Sequence, residues 1–166
     1  RSTWSPRNNI LNAWALTALL FGALTVAFGP VVLPFLILQA AYGISLLEAV
    51  NYLEHYGLAR QKVANGRYER VQPEHSWNSN NIVTNVALFH LQRHSDHHAN
   101  PTRRYQVLRH FDEAPELPSG YAAMVGLVLV PPLWRRVMDH RVISHYDGDL
   151  GRANVHPPKA HRYVAA

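Results

Sequence analysis

The sequence contains no cysteine, which excludes disulfides, thiolate metal sites and a cysteine nucleophile and leaves the redox compartment open. It also lacks an initiator methionine, and Arg1-Ser2-Thr3 has no resemblance to a signal peptide. We therefore expect a fragment or a processed piece of a longer protein. There is no internal repeat and no low-complexity tract, and 166 residues fit a single domain.

Acidic residues are the minority, with 11 Asp and Glu against 16 Lys and Arg, which gives a net charge of +5. Such a balance suits nucleic acid, an anionic membrane surface or an acidic protein partner. The basic residues are scattered and no DNA- or RNA-binding motif is present, so we expect no nucleic-acid partner.

Two long apolar runs, Ile10–Phe28 and Val31–Ala49, flank an uncharged Gly29-Pro30 turn. Each run has ~19 residues, which at ~1.5 Å rise per residue span close to the ~30 Å hydrocarbon core of a bilayer. Two buried helices of a soluble domain are the alternative, but a small domain rarely covers two such helices on all sides. The runs predict a transmembrane hairpin.

Basic residues flank the hairpin only at its outer ends. They are Arg1, Arg7, Arg60, Lys62, Arg67 and Arg70. By the positive-inside rule, both ends are cytoplasmic and the turn lies outside.

The second run leads into Glu54 and His55, and Gly57 is a plausible helix stop. This would leave His55 in the last helical turn. Ionisable groups at the end of a membrane helix are functional candidates.

The segment Leu91–Ala99 is the richest in histidine. On a helix, His94, His97 and His98 stand at i, i+3 and i+4 and share one face, with His90 one turn earlier. Neutral imidazole is the commonest metal ligand and suits iron, zinc, copper or nickel. The pattern indicates a metal site, and a polar helix face rich in histidine is the alternative.

The surrounding pattern predicts one continuous helix from a cap at Asn78 or Ser79 to His98, which Pro101 stops. The histidines would lie in its C-terminal half, where the helix dipole favours a cation. Its predicted buried face consists of Ile82, Val83, Val86, Ala87 and Leu91.

The other segments predict connecting and covering elements. Arg60–Asn78 is an irregular connection. The apolar Tyr121–Val130 is too short to span a bilayer. Leu133–Met138 suits a membrane interface, with a core helix as the alternative, and residues from Asp147 onward are predicted to form an extended tail. The predicted fold is an all-α, integral-membrane helical bundle. It consists of a transmembrane hairpin (1–58) and a cytoplasmic, histidine-rich helical cap (59–166).

Two segments, Asn51–Leu58 and Leu91–His98, resemble the two C-terminal signature motifs of the membrane alkane 1-monooxygenases. Ser76–Ser79 and Pro132–Trp134 are also similar to that family, and the resemblance runs from about Asn51 to Leu150. These paired motifs are long and far more specific than an isolated H-x-x-H-H.

The resemblance implies an integral-membrane, non-haem diiron enzyme of the bacterial inner membrane. Such an enzyme uses O₂ and electrons from rubredoxin to convert the terminal methyl of an alkane to a primary alcohol. Carried onto this sequence, it implies four iron ligands: His55, His94, His97 and His98. His90 lies outside the family motif and is kept only as a low-priority ligand.

The sequence departs from the family in lacking the earlier histidine motifs, of H-E-x-x-H and H-x-x-H-H type, and in having one hairpin where the family has several spans. We therefore expect the C-terminal part of such an enzyme, inactive alone, with further ligands on upstream helices or on another chain.

The chemistry favours redox-active iron over zinc, because a terminal methyl C–H bond is strong and offers no polar handle. Each ligand ring needs a partner that orients it, and Glu54 and Asp96 are the nearest candidate carboxylates, although Asp96 could equally be a solvated helix charge. An oil-soluble substrate can enter from membrane lipid into an apolar pocket.

Two other functions remain open from the sequence. One is a related diiron fatty-acyl desaturase or hydroxylase, which product analysis would distinguish. The other is a non-enzymatic membrane subunit that binds metal or haem, which a strong Soret band would favour.

Overall fold

The computed structural model describes residues 4–5 and 7–155, and within these ranges the protein is helical without a strand, as predicted. Two compact units divide the chain, Arg1–Leu46 and Leu47–Ala166. The helices in the described part are α1 (Asn9–Phe28), α2 (Val32–His55), α3 (Ile82–Ala87), α4 (His94–Ala99), α5 (Tyr121–Val128) and α6 (Pro131–His145), with 3-10 turns at Pro73–His75 and Tyr105–Val107.

The structure confirms the two predicted apolar helices. The Asn8 side chain caps α1 by accepting a hydrogen bond from the Ile10 amide at 3.0 Å, and Gly29, with φ of +80°, follows its last residue. No residue of α1 is buried, and both α1 and α2 are long and apolar enough to cross a membrane. A lipid environment suits the exposed apolar surface of these helices, because exposing apolar area to water costs a free energy of ~25 cal/mol per Å².

The core of the second unit forms where the end of α2 meets α5 and α6. Leu53, Trp77 and Tyr121 are buried together with Trp134 and Met138. Trp134 and Met138 are four positions apart, so they lie on the same face of α6, and this face packs into the core. For the segment Leu133–Met138, the sequence left a core helix as the alternative to a membrane-interface segment. The core-helix alternative holds for this face, since Trp134 is only 1% exposed.

The predicted continuous helix up to His98 is wrong, because the chain bends between α3 and α4. Phe89 and His90 adopt φ values of 51° and 59°, and the His90 amide donates to the Asn85 carbonyl at 2.8 Å. These left-handed conformations end the helical hydrogen-bond pattern. Hence His94 begins α4, and the histidines do not lie in the C-terminal half of a long helix.

The bend also overturns the predicted cap and the predicted buried face. Asn81, rather than Asn78 or Ser79, caps α3 by accepting from the Thr84 amide at 3.1 Å. The side chains of Ile82 and Val86 are 78% and 70% exposed.

The predicted extended tail is wrong for residues 147–155, and the rest of it lies outside the described residues. The Asn154 amide donates to the Gly57 carbonyl at 2.9 Å, and the Arg152 carbonyl accepts from Gln61 at 2.8 Å. These bonds hold the segment against the chain that follows α2.

Candidate metal site

Three of the predicted ligands meet where α2 ends and α4 begins. His55 is the last residue of α2, His94 is the first of α4, and His98 lies one turn later. One ring nitrogen from each lies within 4.8 Å of the other two, and the Nε2 atoms of His55 and His94 are 3.4 Å apart. We call this group the histidine cluster.

Gly57 fixes the end of α2 and therefore the place of His55. Its φ of +72° is left-handed, and a Cβ there would lie 2.6 Å from both methyl carbons of Val142 on α6. Glycine satisfies both conditions because it has no Cβ.

The ring of His55 is oriented by a backbone carbonyl. Its Nδ1 lies 3.4 Å from the His75 carbonyl oxygen. A carbonyl only accepts, so Nδ1 carries the hydrogen and Nε2 presents its lone pair to the cluster. The ring of His75 is itself held, since Nδ1 accepts from the Gln72 amide at 2.9 Å and Nε2 lies 3.1 Å from Glu69.

The ring of His94 lies against Glu54, one of the two predicted orienting carboxylates. The Glu54 Oε1 atom is 3.1 Å from His94 Nδ1, and the same oxygen accepts from the Tyr121 hydroxyl at 2.9 Å. The direction at the ring is poor for a hydrogen bond, so Nδ1 is buried without a full partner and the contact is a close approach rather than a hydrogen bond. The carboxylate favours hydrogen on Nδ1, which leaves Nε2 for a metal.

Burial favours neutral rings in the cluster, most strongly at His94, because His94 is buried while His98 is exposed at the edge. It lowers the pKa of His94 well below the usual range, and the nearby His98, His55 and His97 lower it further. The pKa of His98 is lowered first by burial and then by His55 and His97. Neutral rings with free lone pairs are the form that binds a metal.

The other predicted ligands lie outside this group. His97 is exposed, as His98 also is, but its ring centre is 6.0 Å from that of His94 and 5.8 Å from that of His98. His90 is one of the two bend residues, and its Nδ1 lies 3.1 Å from the Tyr105 carbonyl oxygen.

Asp96, the second predicted orienting carboxylate, is fully buried and is not a solvated helix charge. Its oxygens accept from the Asn100 side chain at 2.7 Å, the Arg109 amide at 2.7 Å and the Arg103 guanidinium at 3.1 Å. Asp96 thus ties the segment after α4 back onto that helix.

Sequence reasoning missed the polar groups that brace the site from a distance. Tyr121 lies 67 positions from its partner Glu54, and no spacing rule connects them. Asn78 accepts from the Ser95 amide at 3.0 Å, and the Gln92 carbonyl accepts from the Ser79 amide. These bonds hold the start of α4 against the connection that precedes α3.

The cluster fits a metal ion bound by imidazole. Metal–nitrogen bonds of about 2.1 Å keep the ligand atoms of one ion within about 4.2 Å of each other. Separations of up to 4.8 Å between the ring nitrogens therefore need ring shifts of a few tenths of an ångström before one ion can bind all three. A cavity of about 310 Å³ adjoins His55 and His98 and is lined by Leu58, Val71 and Ser76.

Comparison with known proteins adds the family. The chain is 56% identical to an alkane 1-monooxygenase of Acinetobacter baylyi over 162 residues, which cover 98% of this chain and 40% of that protein. It is 55% identical to alkane 1-monooxygenase 2 of Pseudomonas aeruginosa, over 86% of this chain and 38% of that protein. It is also 28% identical to a xylene/toluene monooxygenase hydroxylase component of Pseudomonas putida, over 81% and 35%.

The chain thus spans about 40% of the length of the curated relatives it matches. Residues 1–128 match the family model described as fatty acid desaturase. With its two apolar helices it is a membrane protein. The chain belongs to the fatty acid desaturase family and, within it, is homologous to the alkane 1-monooxygenases.

Proposed function

We propose that this chain is part of a membrane-bound, non-haem diiron monooxygenase that hydroxylates the terminal methyl group of alkanes. The reaction takes an alkane, O₂, two electrons and two protons to a primary alcohol and water. The observation that carries the proposal is the histidine cluster at the end of an apolar helix, in a chain about half identical to alkane 1-monooxygenases.

His55, His94 and His98 would hold one iron, and the neighbouring His97 would serve that ion or a second one. Two irons with imidazole ligands need about four ligands each, less any open positions. The remaining ligands would come from segments beyond these residues, on upstream helices that face α4.

When bound, the iron pair supplies the activation of O₂. The residues of this chain hold the rings in place. Glu54 and the His75 carbonyl orient two rings through their Nδ1 atoms. Leu53 and Leu58, which flank His55 in sequence, are buried and anchor this end of α2 in the core of the second unit.

We place the cluster on the cytoplasmic side of the bacterial inner membrane, on the positive-inside argument.

Rubredoxin would then deliver electrons to a basic surface. The candidate steering charges are Arg103, Arg104, Arg109, Arg135 and Arg136. Arg103 and Arg109 lie 3.1 and 3.7 Å from Asp96, so the exposed Arg104, Arg135 and Arg136 are the better candidates. The apparent association rate of rubredoxin should fall with added salt, because screening acts over ~8 Å at physiological strength. A flat response would contradict this docking surface.

Octane oxidation by the purified full-length membrane protein, with elemental analysis, tests the proposal. It predicts 1-octanol formation with iron, and loss of both in His98→Ala. The match to the fatty acid desaturase family leaves a fatty-acyl desaturase or hydroxylase as an alternative function. Turnover of a fatty-acyl substrate without 1-octanol would favour that alternative, and a strong Soret band would favour a haem-binding subunit.

A further inference from the structure

We propose that Tyr121 is a positioning residue of the metal site, which holds the Glu54 carboxylate against the ring of His94. The inference rests on the proposed function, in that His94 is taken as a ligand through Nε2. Tyr121 begins α5 and lies outside both histidine segments.

A single carboxylate oxygen joins the three side chains. Glu54 Oε1 accepts from the Tyr121 hydroxyl at 2.9 Å and lies 3.1 Å from His94 Nδ1. Tyr121 and Glu54 are 1% and 4% exposed, so the two side chains have little access to water. Burial and the neighbouring Glu54 raise the pKa of Tyr121 well above its usual range, so its hydroxyl stays a donor.

Tyr121 also reaches the second segment that carries ligands. Its backbone amide donates to Gln92 Oε1 at 2.6 Å, and that oxygen accepts from the Thr84 hydroxyl at 2.7 Å as well. Gln92 is fully buried and stands two positions before His94. One residue thus braces α2, through Glu54, and the approach to α4, through Gln92.

Without the hydroxyl, the carboxylate would lose its second contact and could turn away from His94. A ligand ring that is no longer oriented binds more weakly, and removal of such partners typically lowers metal affinity by about 10- to 100-fold. The ring of Tyr121 would stay packed in the core in Tyr121→Phe, so the loss is confined to one hydroxyl.

Tyr146→Phe provides a matched control. Tyr146 is also buried, at 4% exposure, and its hydroxyl accepts from the Ala59 amide at 3.0 Å, outside the histidine cluster. Both variants remove one buried hydroxyl, and only Tyr121→Phe removes the contact with Glu54.

The experiment uses the full-length protein in detergent. Two signals are followed in wild type, Tyr121→Phe and Tyr146→Phe. They are the rate at which a chelator removes iron, and the ¹⁵N ring resonances of His94 in metal-free protein. We expect the iron affinity to fall by about 10- to 100-fold in Tyr121→Phe only, with correspondingly faster release to the chelator. We also expect the population of His94 with hydrogen on Nδ1 to fall in that variant only. Equal release rates and unchanged ring resonances in both variants would overturn the inference.

The ring resonances separate this inference from the proposed function, because they are measured without metal. Wild type that binds no iron would refute the proposed function, while a changed His94 tautomer in Tyr121→Phe would still support the contact. Should Tyr121→Phe fail to fold, Glu54→Gln replaces the carboxyl group with a carboxamide of the same shape. Unchanged His94 resonances in Glu54→Gln would overturn the inference.

Discussion

Gly57→Ala probes how tightly the end of α2 must be seated. At a φ of +72°, a side chain at residue 57 costs ~1–2 kcal/mol. The new Cβ would also lie 2.6 Å from two Val142 methyl carbons, whereas ordinary carbon contacts are ~3.5–4.0 Å. Relieving this overlap requires a movement of about 1 Å, and overpacking of that kind costs about 1–3 kcal/mol. We expect a total loss of about 2–5 kcal/mol in the free energy of unfolding.

Gly66→Ala separates the two contributions. Gly66 has a φ of +76°, nearly that of Gly57, but no atom lies within 4 Å of a Cβ built there. This variant should lose only the ~1–2 kcal/mol of backbone strain. In Gly57→Ala/Val142→Ala, the smaller residue on α6 removes the overlap, so the double variant should be more stable than the sum of the two single changes indicates.

Denaturant unfolding of the full-length protein measures these losses, and chelator competition measures the accompanying fall in metal affinity, since Gly57 follows His55 by two positions. A loss in Gly57→Ala no larger than in Gly66→Ala would refute the close packing of α2 on α6. An undiminished metal affinity in a destabilised Gly57→Ala would refute the link between this packing and the histidine cluster.

Three further predictions concern a ligand, the buried aspartate and the topology. His94→Ala should abolish octane oxidation and lower the iron content, whereas His90→Ala should be mild, because the His90 ring lies at the bend against the Tyr105 carbonyl. Equal losses of activity and iron in the two variants would contradict the ranking of His94 above His90 as a ligand. Asp96→Asn should lower the free energy of unfolding by about 1.5–3 kcal/mol, because hydrogen bonds to a charged group are lost. A change within ±0.5 kcal/mol, the range of ordinary surface substitutions, would contradict its role. In a full-length protein without other cysteines, a thiol-reactive probe should label Val31→Cys from the periplasm and Arg104→Cys from the cytoplasm. The opposite pattern would overturn the orientation.

The features that the sequence predicted correctly are local ones. Continuous apolar runs predict membrane helices reliably because every residue of such a helix faces a similar environment. Gly57 is a local helix-stop signal, and it correctly predicted that His55 lies in the last turn of α2. The i, i+3, i+4 spacing of His94, His97 and His98 kept its meaning because α4 is helical across it. Only His94 and His98 of these three joined His55 within 4.8 Å.

The features that the sequence could not predict depend on contacts between distant residues. Phe89 and His90 carry no glycine-like signal for a left-handed conformation, and the bend is stabilised by groups such as Asn85, whose buried side chain donates to the Ser79 carbonyl. The same holds for Asp96, whose partners Arg103 and Arg109 follow it by 7 and 13 positions. Periodicity reports which faces are apolar, but it does not report which polar side chains will meet.

The central claim is that His55, His94 and His98 bind iron together, and a cryo-EM structure of the iron-loaded full-length protein tests it most directly. The account predicts iron density bonded to one ring nitrogen of each residue at about 2.1 Å, with Glu54 and the His75 carbonyl still beside the Nδ1 atoms of His94 and His55. Iron bound elsewhere, with these three rings left unligated, would contradict it.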